Sequence, residues 1–377
     1  MMGQRDLNIF PLYGEYKWAG ALEGPLFPSN SLPILVASIG ADGGRAGLGL
    51  ATGQGVTGAA IAGWTGTIAS SIVGATSVAY TTGSGGTPVA GQFVQVDVNG
   101  AGTVSEVRKI TSVVGTANPF TLNLDVALNY AHAGATATKQ VQAPFTHSIV
   151  QQNLLDSLTL EKEVGGYQSE QYQGCRVAKF STKIAAGNTE ADFTADVIAQ
   201  GYNILSSPSA VSVVNESPFV FAEATLTLAG TARLELSSIS IDIENGLKET
   251  YTLAGQHAPQ FITPVTRKIS GAMTLVFSSL NDATYGYYSR LFNESVGSGG
   301  AGYVQPGALS LAFQHPGASG SGLTLSLNRA ALKKYADDIK MQDVVMAQLD
   351  YEAYLDLGAT PINTISGVAV NGVWLPY

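Results

Sequence analysis

Lys17-Trp-Ala-Gly-Ala-Leu22 and Lys268-Ile-Ser-Gly-Ala-Met273 are two versions of one pattern. A single offset matches Lys17 with Lys268, Gly20 with Gly271, Ala21 with Ala272 and Leu22 with Met273. The same offset sets Asn30 on Asn281 and Phe10 on Phe261. In each version a strand-like run leads to a helix signal. Asn30 or Ser31 can cap a short apolar helix, Leu32 to Ile39, with Pro33 allowed in its first turn. Asn281 or Asp282 can cap Ala283 to Glu294, where Tyr287, Tyr288, Leu291 and Phe292 recur at helical spacing. Gly40 and Gly297 follow as stops.

Strands come next in both copies. In the first they are Ser157 to Glu161, Arg176 to Ile184 and Ala191 to Ala199, the last with Phe193, Ala195, Val197 and Ala199 on one face. In the second they are Ala308 to Phe313, Leu323 to Arg329 and Val344 to Tyr354. The shared order of elements argues for duplication, which gives one chain two similar interaction surfaces.

The copies differ between helix and strands. The second has a short spacer, Ser295 to Pro306; the first has the long stretch Gly40 to Phe145. That stretch carries its own strand signals at Thr76–Tyr80, Gln92–Val98, Val104–Val113, Thr121–Leu124 and Ala135–Val141. We read it as a small inserted β-domain with a flexible Gly/Ala-rich lead-in, projecting outward, because insertions are tolerated at exposed loops. Deleting Val56 to Lys139 is then expected to leave the rest of the chain's self-association through its two similar surfaces intact. The second copy also opens with a strand and loop, Leu234 to Phe261, which the first lacks ahead of Lys17. The expected organisation is mainly β: residues 1–52 and 144–212 form the first repeat, 53–143 the insert and 213–377 the second repeat.

Composition agrees. The chain of 377 residues is 45% hydrophobic and only 12% charged, against roughly 25% charged in an average soluble protein. So few charges protect a monomer poorly against self-association, so we expect copies of the chain to cover much of its surface. A formal charge of −9 and a pI near 4.9 argue against grip on nucleic acid through phosphate neutralisation. They suit a surface that nucleic acid does not grip, and equally plain acidic solubility. Between Ala46 and Val96 no residue is charged, but Gly, Thr and Ser break the run and no membrane helix is expected there.

Three passages resemble the tail tube proteins of long-tailed phages. The first is Ser157-Leu-Thr-Leu-Glu-Lys-Glu-Val-Gly-Gly followed by Tyr172-Gln-Gly-Cys-Arg-Val-Ala-Lys-Phe-Ser. The second runs from Gly91-Gln-Phe-Val-Gln-Val through Glu106-Val-Arg-Lys-Ile-Thr-Ser-Val to Leu128-Asn-Tyr-Ala-His-Ala-Gly-Ala, and is similar to a β-module inserted in phage structural proteins. The third is Ser238-Ile-Ser-Ile-Asp-Ile-Glu-Asn-Gly-Leu, which resembles the strand opening a second tube domain. The resemblance implies two tandem tube-type β-sandwich or half-barrel domains with one helix each. It implies a structural virion protein in stacked trimeric, pseudo-hexameric rings forming a hollow tail tube. The implied partners are other copies of the chain and the tape-measure, tail-tip and terminator proteins. DNA transits the lumen without specific binding, no membrane is involved, and assembly in the host cytoplasm precedes residence in the virion tail. The loop Gly246 to Pro264 is implied to reach the next ring, and Met1 to Tyr13 is its counterpart.

Chemistry is sparse. His132, His147, His257 and His315 are scattered and read as turn or strand-edge residues, with no HExxH. The chain has no Gly-x-Ser-x-Gly elbow, and no Walker loop. Gly47-Leu-Gly-Leu-Ala-Thr-Gly lacks a βαβ context and reads as a linker. The one cysteine, Cys175, reads as a buried small residue rather than a nucleophile. Glu161 with Glu163, and Asp242 with Glu244, each share a strand face and are candidates to line a lumen or simply to be solvated. Lys333, Lys334, Asp337 and Asp338 read as an exposed polar loop. No catalytic residue, cofactor or metal is expected. The rival readings are a tail terminator, a capsid decoration protein, or a β-rich adhesin or carbohydrate-binding module.

Overall fold

A computed structural model describes residues 17–42, 55–97, 104–164, 168–187, 190–209, 214–252, 258–276, 306–316, 320–338, 346–359 and 362–375. The second helix expected at Ala283–Glu294, and the Met1–Tyr13 segment, lie outside them. In chain order the first part holds β1 (Trp18–Pro25), α1 (Leu32–Ile39) and β2 (Gly40–Asp42). The insert holds β3 (Val56–Ile68), β4 (Ser77–Ser84), β5 (Phe93–Val96), β6 (Glu106–Val114), β7 (Phe120–Leu124) and the start of β8 (Thr136–Gln151). Then come β9 (Leu158–Val164), β10 (Gln168–Ala185), β11 (Asp192–Ala199) and β12 (Gly201–Leu205). The last part holds β13 (Ala224–Leu228), β14 (Thr231–Arg233), β15 (Leu236–Thr250), β16 (Phe261–Val276), β17 (Gly307–Gln314), β18 (Gly322–Asp338), β19 (Met346–Ala353) and β20 (Ser366–Asn371).

Helix α1 forms where an apolar run meets Pro33 in its first turn and Gly40 at its end. Ser31 is its N-cap residue but does not cap it. The hydroxyl instead accepts from the Phe27 amide at 2.6 Å and donates to the Phe27 carbonyl at 2.9 Å. Asn30 is turned away too, its Nδ2 donating to the Val214 carbonyl at 2.8 Å.

The principal sheet runs β1-β11-β10-β15-β16-β19-β18, antiparallel throughout. Its register matches at the paired positions. Gly20 faces Val197 and Leu22 faces Ala195 on β11; Gly271 faces Tyr351 and Met273 faces Leu349 on β19. Even the irregularity recurs. A bulge falls between Val177 and Lys179 in β10, and another between Leu332 and Lys334 in β18. Lys179 then faces Asp196, and Lys334 faces Asp350. A bulge shifts every side chain beyond it, so matching bulges are strong support for duplication.

A second series of strands, β14-β13-β17-β18-β20-β8, shares β18 with the first. One apolar cluster joins the two series: Phe180, Ile241 and Met273 from the principal sheet, Leu35 and Ile39 from α1, and Leu311, Leu325 and Ile149 from the second series.

The insert closes on itself. β8 pairs with β3, β3 with β4, β4 with β7, β7 with β6, β6 with β5, and β5 returns to β8. This six-stranded barrel is filled by Trp64, Tyr80, Val94, Ile110 and Leu122. The Gly/Ala-rich stretch Val56–Ile68, expected as part of a flexible lead-in, is the strand β3. Pairing with β8 overrides its weak strand propensity. The boundary expected between 143 and 144 falls inside β8, which continues from the barrel into the core.

Two loop readings are corrected. Lys333, Lys334, Asp337 and Asp338 lie in β18, held by pairing with β19 as far as Asp338 opposite Met346. The loop expected at Gly246–Pro264 is shorter, because β15 and β16 pair out to Thr250 opposite Phe261.

Candidate assembly interface

Strand alternation gives the principal sheet one apolar and one polar face. On β11 Phe193, Ala195 and Val197 are buried while Asp192, Thr194 and Asp196 are exposed. On β15 Ile239, Ile241 and Ile243 are buried, Ser240 and Asp242 half-buried and Glu244 exposed. β19 exposes Gln348 and Asp350, and β16 exposes Lys268 and Ala272. Ser181 donates to Asp242 at 2.5 Å, and Lys179 approaches Glu244 at 3.8 Å. The face therefore mixes carboxylates, hydroxyls and a few lysines. Asp242 and Glu244 belong to it, as their spacing suggested. Glu161 and Glu163 do not: they lie on a separate sheet, β9-β10-β12. There Glu161 is held below the usual carboxylate range by the Ser169 hydroxyl, at 2.5 Å, and by Ser209, whose amide donates at 2.8 Å.

Among the described strands the sheet ends in two edges that carry no further strand. Among the described strands, β1 pairs only with β11, and Ala330–Asp338 of β18 continues only onto β19 once β17 is left behind at Ala330. Such edges are templates for pairing with another chain. The matched glycines show what one edge lacks. A side chain at Gly271 would run into the Ser240 carbonyl of β15 and the Tyr351 hydroxyl. At Gly20, the equivalent position on the open edge, a Cβ would meet nothing within 4 Å. Beside β1 lies a groove of about 610 Å³, lined by Trp18, Leu22, Leu160, Tyr172 and Cys175 among others. Cys175 is buried there, its thiol pushed up by desolvation, and it donates weakly to the Tyr172 carbonyl at 3.4 Å. That is the environment of a packing residue.

A family model described as phage tail tube protein matches residues 10–353. The chain belongs to the phage tail tube protein family. Membership makes it a structural component of the virion tail that associates with itself and with other tail components, in a family that is not an enzyme class. A search of curated proteins finds no match. Among the described residues of this tail tube protein, no helix is long and apolar enough to cross a membrane. No group of three or more metal-ligating side chains occurs among them either.

The three described histidines of the tail tube protein each meet a carboxylate, which sequence reasoning missed. His132 Nε2 lies 3.1 Å from Glu106, His147 Nδ1 lies 2.6 Å from Asp42, and His315 Nδ1 lies 2.7 Å from Glu223. Glu106 also pairs with buried Arg108 and accepts the Asn129 and Tyr130 amides, each at 2.8 Å. Each histidine and its carboxylate are 26 to 105 residues apart, so no local motif announces the pairs. His257 lies outside the described residues.

Proposed function

We propose that this tail tube protein closes rings by bringing the β1 edge of one chain toward the β18 edge of the next. Three chains, each carrying two repeats, stand in for six. The polar face of the principal sheet lines the lumen, and rings stack through the β15–β16 arm. DNA then passes a mildly acidic, hydroxyl-rich wall that offers phosphates little grip. Assembly takes place in the host cytoplasm, with tape-measure, tail-tip and terminator proteins bounding the tube. The matched glycines carry this reading: Gly271 is glycine because a strand lies against it, and Gly20 keeps a glycine where that strand is still to come.

The test compares Gly20→Val with Gly271→Val. Gly20→Val is expected to fold with an unchanged melting temperature and to lose assembly by sedimentation. Gly271→Val is expected to destabilise the monomer by about 1–3 kcal/mol through overpacking. Normal assembly of Gly20→Val would contradict the assignment of the β1 edge.

A further inference from the structure

The small barrel is joined to the core by two adjacent strands. β8 runs through both bodies, and Val56–Gly58 of β3 pairs with Phe145–His147 of β8 at the joint. A two-stranded ribbon bends and twists, so by itself it does not set the barrel's direction. A third tie comes from the other end of the chain. After β20, the buried Asn371 side chain donates to the Pro28 carbonyl at 3.0 Å and accepts from the Val373 amide at 2.9 Å, anchoring the chain to the core. The Val373 carbonyl lies 2.8 Å from His147 Nε2. Trp374 then reaches the barrel. Its ring packs 5.0 Å from Phe93 of β5 and 6.4 Å from Phe145 of β8. Its indole N–H donates to Asp125, just past β7, at 2.8 Å, and the Lys109 ammonium of β6 sits 5.8 Å from the ring centroid.

We propose that Gly372–Trp374 is a strap that fixes the direction of the small barrel on the tube wall. The contacts suit the task. Besides Phe145 at the joint they touch β5, β6 and the turn after β7, so part of the strap's grip lies off the β3–β8 hinge. They are also separable from the core: Trp374 itself packs with the small joint cluster of Val56, Val107, Val141 and Phe145, not with the principal apolar cluster. Releasing the strap therefore frees the barrel without opening the sandwich. Aromatic contacts and a charge-assisted hydrogen bond supply enough energy to hold such a joint closed.

The experiment is hydrogen exchange on the full chain, comparing Trp374→Ala, Trp374→Phe and Asp125→Asn. The reporters are the Val56 amide, which donates to the Ser105 carbonyl across the joint at 3.1 Å, and the amides of Phe145–His147. Trp374→Ala is expected to speed exchange at the joint about tenfold, the two milder variants less, with β15 and β16 unchanged. Assembled particles of Trp374→Ala are expected to show blurred barrel density over a sharp core. Unchanged joint exchange in Trp374→Ala, or an equal rise in β15 and β16, would overturn the proposal.

Discussion

At the scale of single residues, His147 is the most constrained titrating group. It is fully buried, and both ring nitrogens face acceptors, Asp42 and the Val373 carbonyl. Two acceptors call for two N–H donors, which is the imidazolium. Burial works against that charge, but the hydrogen bond and charge of Asp42, with Val373 and Asn371, outweigh it and raise the pKa above the ordinary histidine value. A group whose folded pKa is raised stabilises fully below its unfolded pKa, about 6.5, and loses that stabilisation as pH climbs through the folded value. The melting temperature is thus expected to fall as pH rises from about 6.5 through the folded pKa, and His147→Gln is expected to flatten that slope. A wild-type melting temperature that rises over the same range would refute the charged assignment. Arg267 is the converse case. Burial alone pulls its guanidinium down to about 10, and its hydrogen-bond partners are neutral: Asn245 Oδ1 and the Gln152 carbonyl, both at 2.9 Å.

Among the elements, β3 and β8 decide how the insert is to be separated from the tube. Deletion of Val56–Lys139 removes the Val56–Gly58 rung from the core end of β8 and strips the cover from Phe145, which is 1% exposed. That deletion is expected to destabilise the core, contrary to the simple expectation of a peripheral module. Replacing Ala59–Gln142 with a short turn keeps the rung, since Gly58 faces Phe145. The shorter deletion is expected to retain assembly, as read by electron microscopy, because a closed barrel has no edge to contribute to a ring. Loss of assembly with a folded core would refute the peripheral placement.

The same elements show what was legible in advance. Helix α1 was readable to the residue, since Pro33 and Gly40 punctuate an unbroken apolar run. The strands β10, β11, β17 and β19 were readable from their alternation. β3 was not, because Gly and Ala carry little strand propensity and its partner lies far along the chain. β13, β14 and β20 are short strands, held by pairing rather than by pattern. Six residues suggested a repeat, which the matching registers support, but the two sheet edges were not legible, since an edge is a property of the whole sheet. The polar face was half legible: Asp242 and Glu244 belong to it, whereas Glu161 and Glu163 follow the same spacing on a different sheet.

At the scale of the whole molecule, low charge, open edges and a polar sheet face are one fact seen three ways. A chain with 12% charged residues and two sheet edges that meet no further described strand is poorly suited to life as a monomer. In the proposed assembly, closing the sheet between chains satisfies those edges, and stacking covers more of the surface. The small barrel needs no such closure; β3, β8 and Gly372–Trp374 join it to the core.

The most direct test of the central claim is cryo-electron microscopy of the purified full chain at high concentration, with tail-tip or tape-measure partners added where tubes need nucleation. The account predicts hollow tubes of stacked layers, three chains to a layer, with β1 of each chain beside β18 of its neighbour and the β11, β15 and β19 carboxylates facing the lumen. Monomers alone under every such condition, or layers joined through the small barrels with both sheet edges left open, would contradict it.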